Sequence, residues 1–549
     1  MGFNLLAPTA PPYDPLAWEK KPFPEKCRMV CEAWALQGYG SPTSALLFYA
    51  LKIVFYVWVW TVLCGLTPGL GHVRTIATWW LHPIAFQKAI LWSMLFEGLG
   101  LGCGSGPLTG RYFPPFGGAL YFLRPGTTKR PLFEGMPVLG GHRRTWLDVG
   151  LYLANLIALA RALTAPSIGA AELLPIAVLL PILGVADRTL FLAARAEHYF
   201  TTVLCFLLAG NWIAGAKAVQ LALWFWAGVS KLNHHFPAVV CVMMSNSPVA
   251  RWAWLRARMY RSYPGDLRPS GVAVGMAHVG TALELGVPVV LALGDGGVIT
   301  TVGLVLMLAL HGFITSSVPM GVPLEWNVMM VYGAFFLFKA NAGVSVLSLG
   351  SPALAICLVI ALVAVPLVGN LRPRSVSFLC AMRYYAGNWP YSVWLFRGDS
   401  YRKLDRLTKS SAWLHDQLAR FYDRRTSVGL VGRVIAFRAM HLHGRTLQTL
   451  LPRAVDRLEH YEHVDGELMA GLALGWNFGD GHLHDEGLLR AVQAQCGFEE
   501  GELRCVFVES QPLFGSSLAW RIADAKTGEL EAGEIGVSAL RELQPWAPG

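Results

Sequence analysis

The chain has 549 residues, of which 54% are hydrophobic and only 15% charged; its mean hydropathy is +0.43, whereas a soluble domain carries about 25% charge. That composition excludes an ordinary soluble enzyme. The net charge of +10 falls in loops between apolar runs, so it reads as arginines facing an anionic leaflet and not as a nucleic-acid footprint. Membrane lipids and a hydrophobic small molecule are the expected partners, with no nucleic acid.

In chain order, residues 1–45 are polar and Pro-rich and lack the charged, apolar and small-residue pattern of a secretory signal. Leu46–Cys64 is the first apolar run long enough to cross a bilayer. A second, Ala85–Cys103, contains Glu97, a carboxylate expected to face the bundle interior. The Gly/Pro-rich loop Gly104–Asp148 carries Arg111, Arg124, Lys129, Arg130, Arg143 and Arg144, which place it on the cytoplasmic face. A loop this long is usually functional; it either contributes to a substrate site or rests on lipid headgroups. Asp148–Leu163 and Leu173–Ala194 follow, and Asp187, Arg188, Arg195, Glu197 and His198 are expected to form salt bridges at the cytoplasmic interface.

Tyr199–Lys231 is too long for one upright span and short for two, and Asn211, Gly215 and Lys217 interrupt its middle, which favours a hairpin or a broken helix. With a hairpin, the basic loop Asn233–Ser270 falls on the same side as Gly104–Asp148. Val272–Leu293 and Val298–Ser316 are joined by a Gly-Asp-Gly-Gly turn at Gly294–Gly297, and Glu325–Lys339 and Pro352–Val368 complete about ten spans. Glu325, Trp326 and Asn327 cap the ninth span or line a site.

Chemistry concentrates in Ala222–Met244, where an aromatic and aliphatic run ends in Lys231, Asn233, His234, His235 and Pro237. An ionisable group inside a membrane costs roughly 2.5–3.5 kcal/mol, which marks it as functional by default; the alternative is a lysine whose stem snorkels to the headgroups. If the next two spans run antiparallel, His278 approaches His311, and both join Lys231 in one layer, with Glu284 on the same helix as His278. Histidines that merely hydrogen-bond across helices are the structural alternative. Glu97, Lys217, Asn233, His234, His235, Trp224 and Trp226 are the candidate substrate-binding residues.

Residues 372–400 are aromatic and basic, a pattern expected of an interfacial helix and turn. Residues 401–549 read as a cytoplasmic α+β domain, open to a soluble partner, with helices at Asp405–Phe421, Arg445–His460 and Glu486–Gln495 and strand alternation after Cys496. Its histidines include His441 and His443, His460 and His463, and the metal candidates His482, His484 and Asp485. None of these spacings matches a stereotyped zinc motif, so no metal is expected.

The segment F-W-A-G-V-S-K-L-N, Phe225–Asn233, resembles the aromatic-x-A-G-x-x-K-L segment of the vitamin K-dependent gamma-carboxylase and its bacterial relatives, the horizontally transferred transmembrane (HTTM) family. A-H-V-G-T-A-L-E-L-G at Ala277–Gly286 and L-H-G-F-I-T-S-S-V-P around His311 follow in that family's order, so the resemblance covers residues 221–341. It implies that Lys231 is a base and that a reduced quinone is the cofactor for oxygen-dependent chemistry on a second substrate; Glu284, His278 and His311 join it as catalytic candidates from the expected helix-neighbour layer. Two departures stand against strict carboxylation: the carboxylase's large lumenal domain has no counterpart here, and Ser230 replaces its second lysine. The substrate is then a quinol or lipid; the alternative function is a non-catalytic lipid- or quinone-binding or transport-associated protein. The complete chain, with G-G-A-L-Y-F-L-R-P-G at residues 117–126, also resembles bacterial multi-spanning proteins of unknown function. The expected fold is an all-α membrane bundle of about ten transmembrane helices (residues 46–371) with a C-terminal α+β soluble domain. The expected location is the bacterial inner membrane, with both termini cytoplasmic.

Overall fold

The computed structural model describes residues 5–102, 117–208, 210–317, 323–384, 386–409, 411–476 and 479–546. Among them, five helices are long and apolar enough to cross a membrane: Thr43–Gly65, Trp146–Thr164, Gly271–Leu293, Val298–Thr315 and Pro352–Leu371. Their outer faces carry Leu51, Val54, Trp58, Ile299, Val305, Ile356 and Val359, each more than half exposed. Apolar surface in water costs about 25 cal/mol per Å², so a stripe of this kind calls for hydrocarbon around it.

The count of about ten spans is not carried by the fold. The Pro83–Gly98 helix has 16 residues, twelve of them buried, and at 1.5 Å per residue it falls short of a ~30 Å hydrocarbon core. It is a central strut packed against the Thr43–Gly65 and Trp146–Thr164 helices. The Tyr199–Lys231 stretch does fold back on itself, with the Thr201–Leu208 and Trp212–Val229 helices packed together. The first arm, with its preceding wide turn Ala196–Phe200, is too short to span. The Leu173–Ala194 run breaks at Asp187, which ends the Ala170–Ala186 helix and caps the next by accepting the Thr189 amide at 3.0 Å.

The charged groups expected at the interface lie inside the molecule. Arg144 donates to Asp187 at 2.5 Å with both side chains fully buried, Lys129 meets Asp148 at 2.6 Å, and Arg130 reaches Asp485 at 2.6 Å. The basic Gly104–Asp148 loop is therefore tied to the helical layer and to the C-terminal region through ion pairs; its Arg111 lies outside the described residues.

Beyond Arg372 a five-stranded antiparallel sheet forms, in the order Tyr461–Asp465, Tyr391–Arg397, Leu503–Val508, Ser517–Asp524, Gly528–Gly536. Residues 372–400 are thus not an interfacial helix. Their end is a strand buried at six of seven positions, and a strand covered on both faces reads as a continuous apolar run with no alternation. Trp394 and Phe396 pack toward the helical bundle, while Tyr391, Val393 and Leu395 pack toward Trp34, Val240 and Phe437. The amino-terminal Phe23–Gln37 helix is part of this second core. It packs on the Arg424–Ala439 helix, and the Trp34 indole donates to the Val242 carbonyl at 3.3 Å. The Arg424–Ala439 helix has no counterpart in the sequence reading, because 11 of its 16 residues are buried and no polar face is left to betray its period.

Candidate functional site

A cavity of about 1120 Å³ lies between the helical layer and the C-terminal region. Its wall is largely apolar, built by the Trp212–Val229, Phe236–Asn246, Gly271–Leu293 and Val298–Thr315 helices, with Tyr39, Phe48 and Tyr49 from the amino-terminal side. The few polar groups on it are specific in kind.

Lys231 lies just past the end of the Trp212–Val229 helix, its amide still bonded to the Gly228 carbonyl at 3.0 Å. Its ammonium forms a buried salt bridge with Glu284 on the Gly271–Leu293 helix, donates to the Ala227 carbonyl at 3.3 Å and sits 5.0 Å from the Phe236 ring centre. Gly228 makes this pairing possible: a Cβ there would lie 2.8 Å from Leu285 Cδ2 and 3.1 Å from the Glu284 carbonyl carbon. The glycine of the A-G-V-S-K segment is a close-approach residue that brings the two helices into contact.

His311, near the end of the Val298–Thr315 helix, accepts the Trp224 indole N–H at Nε2, 3.0 Å, and its Nδ1 lies 2.7 Å from Asn327 Oδ1. An indole nitrogen only donates, so Nε2 is the acceptor and the ring proton sits on Nδ1, directed at the amide oxygen. The network holds a neutral imidazole in one tautomer. Arg195 also reaches the wall; it pairs with Glu197 at 3.3 Å and lies over the Trp326 ring at 5.0 Å.

Of the residues singled out from sequence, Lys231, Glu284, His311 and Trp224 share this cavity, and Trp326 and Asn327 line it with them. His278 does not. It is exposed on the outside of its helix, because six residues of α-helix rotate it about 120° from Glu284; the expected His278–His311 layer therefore does not form. Glu97 is buried, as expected, and faces Arg195 at 3.9 Å, behind the cavity wall. Glu325 pairs with Lys52 at 3.3 Å. Lys217 lies four turns before Lys231 and donates to the Val344 carbonyl at 2.6 Å, where it holds a loop. Trp226 donates to the Leu362 carbonyl at 2.7 Å, Asn233 accepts the His235 amide at 2.8 Å to close a turn, His234 is exposed, and His235 meets Gln511 at 2.9 Å. None of these seven, from Glu97 to His235, lines the cavity.

The metal candidates go to separate partners. His482 lies between Asp480 at 3.3 Å and Glu509 at 3.2 Å, and these carboxylates raise its pKa to about 10 against the opposing effect of burial. His484 meets Ser392 at 2.6 Å, and Asp485 is bound by Arg130. Among the described residues no cluster of three or more His, Cys, Asp or Glu could hold a metal ion.

Sequence reasoning placed Arg195 in a salt-bridge cluster at the interface and not at this wall, and it missed the contribution of the C-terminal region, where Arg438, Asp465 and Glu467 form part of the same wall. No local signal marks them, since Arg438 sits in a helix with no amphipathic pattern.

No curated protein matches this sequence, and no solved structure does. A family model described as "Transmembrane protein of unknown function (DUF3556)" matches residues 1–549. The apolar outward faces, the buried polar groups and this full-length match agree, and the chain belongs to that family of transmembrane proteins.

Proposed function

We propose that the protein holds a long-chain, membrane-derived amphiphile in the cavity, its head group met by the Lys231–Glu284 pair and His311. The observation that supports this reading is the cavity itself: about 1120 Å³ of mostly apolar wall bearing a buried ion pair. Ordinary small-molecule sites occupy roughly 300–1,000 Å³. Apolar walls select chains, and the pair offers both a donor and an acceptor to a hydroxyl, ester or quinone oxygen. Phe48, Val279 and Phe313, apolar side chains that keep accessible surface, line the space, which favours an apolar ligand from the surrounding bilayer.

A second reading is lysine-base chemistry on a reduced quinone, as the gamma-carboxylase resemblance implies. Lys231, Glu284 and His311 on one wall favour it. A salt bridge needs the ammonium and a base needs the free amine, so Glu284 must first take the proton in this reading.

The test compares purified wild type with Lys231→Ala in detergent, following lipid and quinone retention by mass spectrometry and oxygen consumption with reduced menaquinone or ubiquinol. Oxygen uptake by the wild type alone, with the variant folded and monodisperse, supports the enzyme. Retention of an amphiphile that falls in Lys231→Ala, without turnover, supports the binding protein. A wild type that retains none and consumes no oxygen removes both readings.

A further inference from the structure

The arginines of this chain divide into those folded inward and those left outside. Arg130 and Arg144 of the Gly104–Asp148 loop are buried and paired. The segment between the Phe236–Asn246 and Gly271–Leu293 helices instead keeps Arg251, Arg258 and Arg261 exposed. Residues 247–265 hold four arginines and no Asp or Glu. The first acidic residue after them, Asp266, is taken by Arg268, as is Glu542.

The same segment exposes apolar bulk. Val249, Trp252 and Trp254 are 69%, 59% and 62% exposed, although the backbone that carries them is tied down. The fourth arginine, Arg256, is buried and donates to the carbonyls of Ala250 at 2.6 Å, Ser247 at 2.7 Å and Leu36 at 2.5 Å. Two indoles held out by a fixed loop leave apolar area uncovered, which water does not favour.

The position of the segment bears on what covers them. Asn246 donates to the Ser317 carbonyl at 2.9 Å, and the Ser247 and Ser316 hydroxyls lie 3.3 Å apart, just past the Val298–Thr315 helix. At its other end Ser270 donates to the Arg258 carbonyl at 2.6 Å and caps the Gly271–Leu293 helix by accepting the Ala273 amide at 3.3 Å. The segment therefore lies across the ends of two helices long and apolar enough to span a membrane. The 23 residues of Gly271–Leu293 rise about 34 Å and cover a ~30 Å hydrocarbon core, so its ends reach head-group level. Tryptophan is enriched at that level, and arginine there meets lipid phosphates.

We propose that residues 249–261 form a membrane-interface anchor for anionic phospholipid, with Trp252 and Trp254 among the head groups and Arg251, Arg258 and Arg261 on the phosphates. The span ends on either side favour a leaflet over an acidic soluble protein. The anchor is independent of the ligand in the cavity. Leu267, whose amide donates to Gln544 Oε1 at 3.1 Å, and Arg268, bound to Glu542, link it to the end of the C-terminal region, which is thereby held against the same leaflet.

The test places an NBD fluorophore on Ala253→Cys, an exposed position between the two tryptophans, in the full-length protein in phosphatidylcholine nanodiscs. Protein without that cysteine, treated identically, gives the background. Quenching by doxyl-labelled phosphatidylglycerol is compared with quenching by doxyl-labelled phosphatidylcholine at equal mole fraction. Phosphatidylglycerol is expected to quench severalfold more strongly, because each arginine near the surface adds attraction for anionic lipid. Arg251→Gln/Arg258→Gln/Arg261→Gln is expected to make the two lipids equal, and raised salt to do the same with the arginines in place. Trp252→Ser/Trp254→Ser is expected to weaken quenching by both lipids. No quenching by either lipid puts the segment in water or against a soluble partner and overturns the anchor. Equal quenching with the arginines in place, or a preference that survives the triple substitution, overturns the assignment to anionic phospholipid.

Discussion

Two sets of buried ion pairs divide the molecule. Beside the seam between the helical layer and the C-terminal region, Arg144–Asp187 and Lys129–Asp148 are enclosed by protein. Lys231–Glu284 is as short a contact and nearly as buried, but one side of it faces the cavity. Burying charge is costly in both places. At the seam the partner alone offsets that cost, so the pair acts as a fastener. At the cavity wall a ligand or water can share it, so the pair is available for recognition. Buried charge by itself does not mark function; buried charge next to open space does.

The contrast breaks most readily at the seam. Asp187→Ala strands a fully buried Arg144, with an expected loss of ~3–5 kcal/mol, read as a lowered thermal midpoint of the detergent-solubilised protein; a near-normal midpoint would erase the distinction between the two sets. Next comes Gly228→Val, which forces apart the helices carrying Lys231 and Glu284. It is expected to cost ~1–3 kcal/mol and to abolish amphiphile retention, while Gly286→Ala, which meets nothing within 4 Å, changes neither.

His482 sharpens the comparison by pH. Its folded pKa is about 10, above the ordinary 6.5, because Asp480 and Glu509 flank it. A raised pKa gives stability that is fully present below about pH 6.5 and lost as pH rises through about 10. Thermal midpoints of the wild type are therefore expected to fall along this alkaline limb, and those of His482→Gln to fall less. The smallest effect belongs to His278→Ala. This exposed residue should change stability by no more than ~0.5 kcal/mol and leave retention unaltered; a loss of retention would put His278 back in the site.

Much of the helical layer is legible in the amino-acid order. The Leu46–Cys64 run and the Thr43–Gly65 helix coincide, as do Val272–Leu293 and Gly271–Leu293, and the turn at Gly294–Gly297 falls where its glycines put it. The break in Tyr199–Lys231 is readable from Asn211, and the Glu486–Cys496 helix from its period. Of the site, Lys231, Glu284, His311 and Trp224 could be picked out as ionisable or aromatic groups in apolar surroundings. Which of them meet could not. His278 and Glu284 share a helix, and only its rotation against the neighbours decides that one faces in and the other out.

The sequence by itself determined that this is a membrane protein, where its strongest apolar helices lie, and that Lys231 stands at the end of one of them. Hydropathy and turn chemistry act over a few residues, so neighbours in sequence suffice to read them. The tertiary structure alone decided that Gly228 lets Lys231 reach Glu284, 53 positions on. It also decided that the Tyr391–Arg397 run becomes a strand between two cores, and that Arg438 arrives at a cavity whose opposite wall lies in the helical layer. Those outcomes depend on which faces pack to exclude solvent, a property of the closed chain that no local pattern contains.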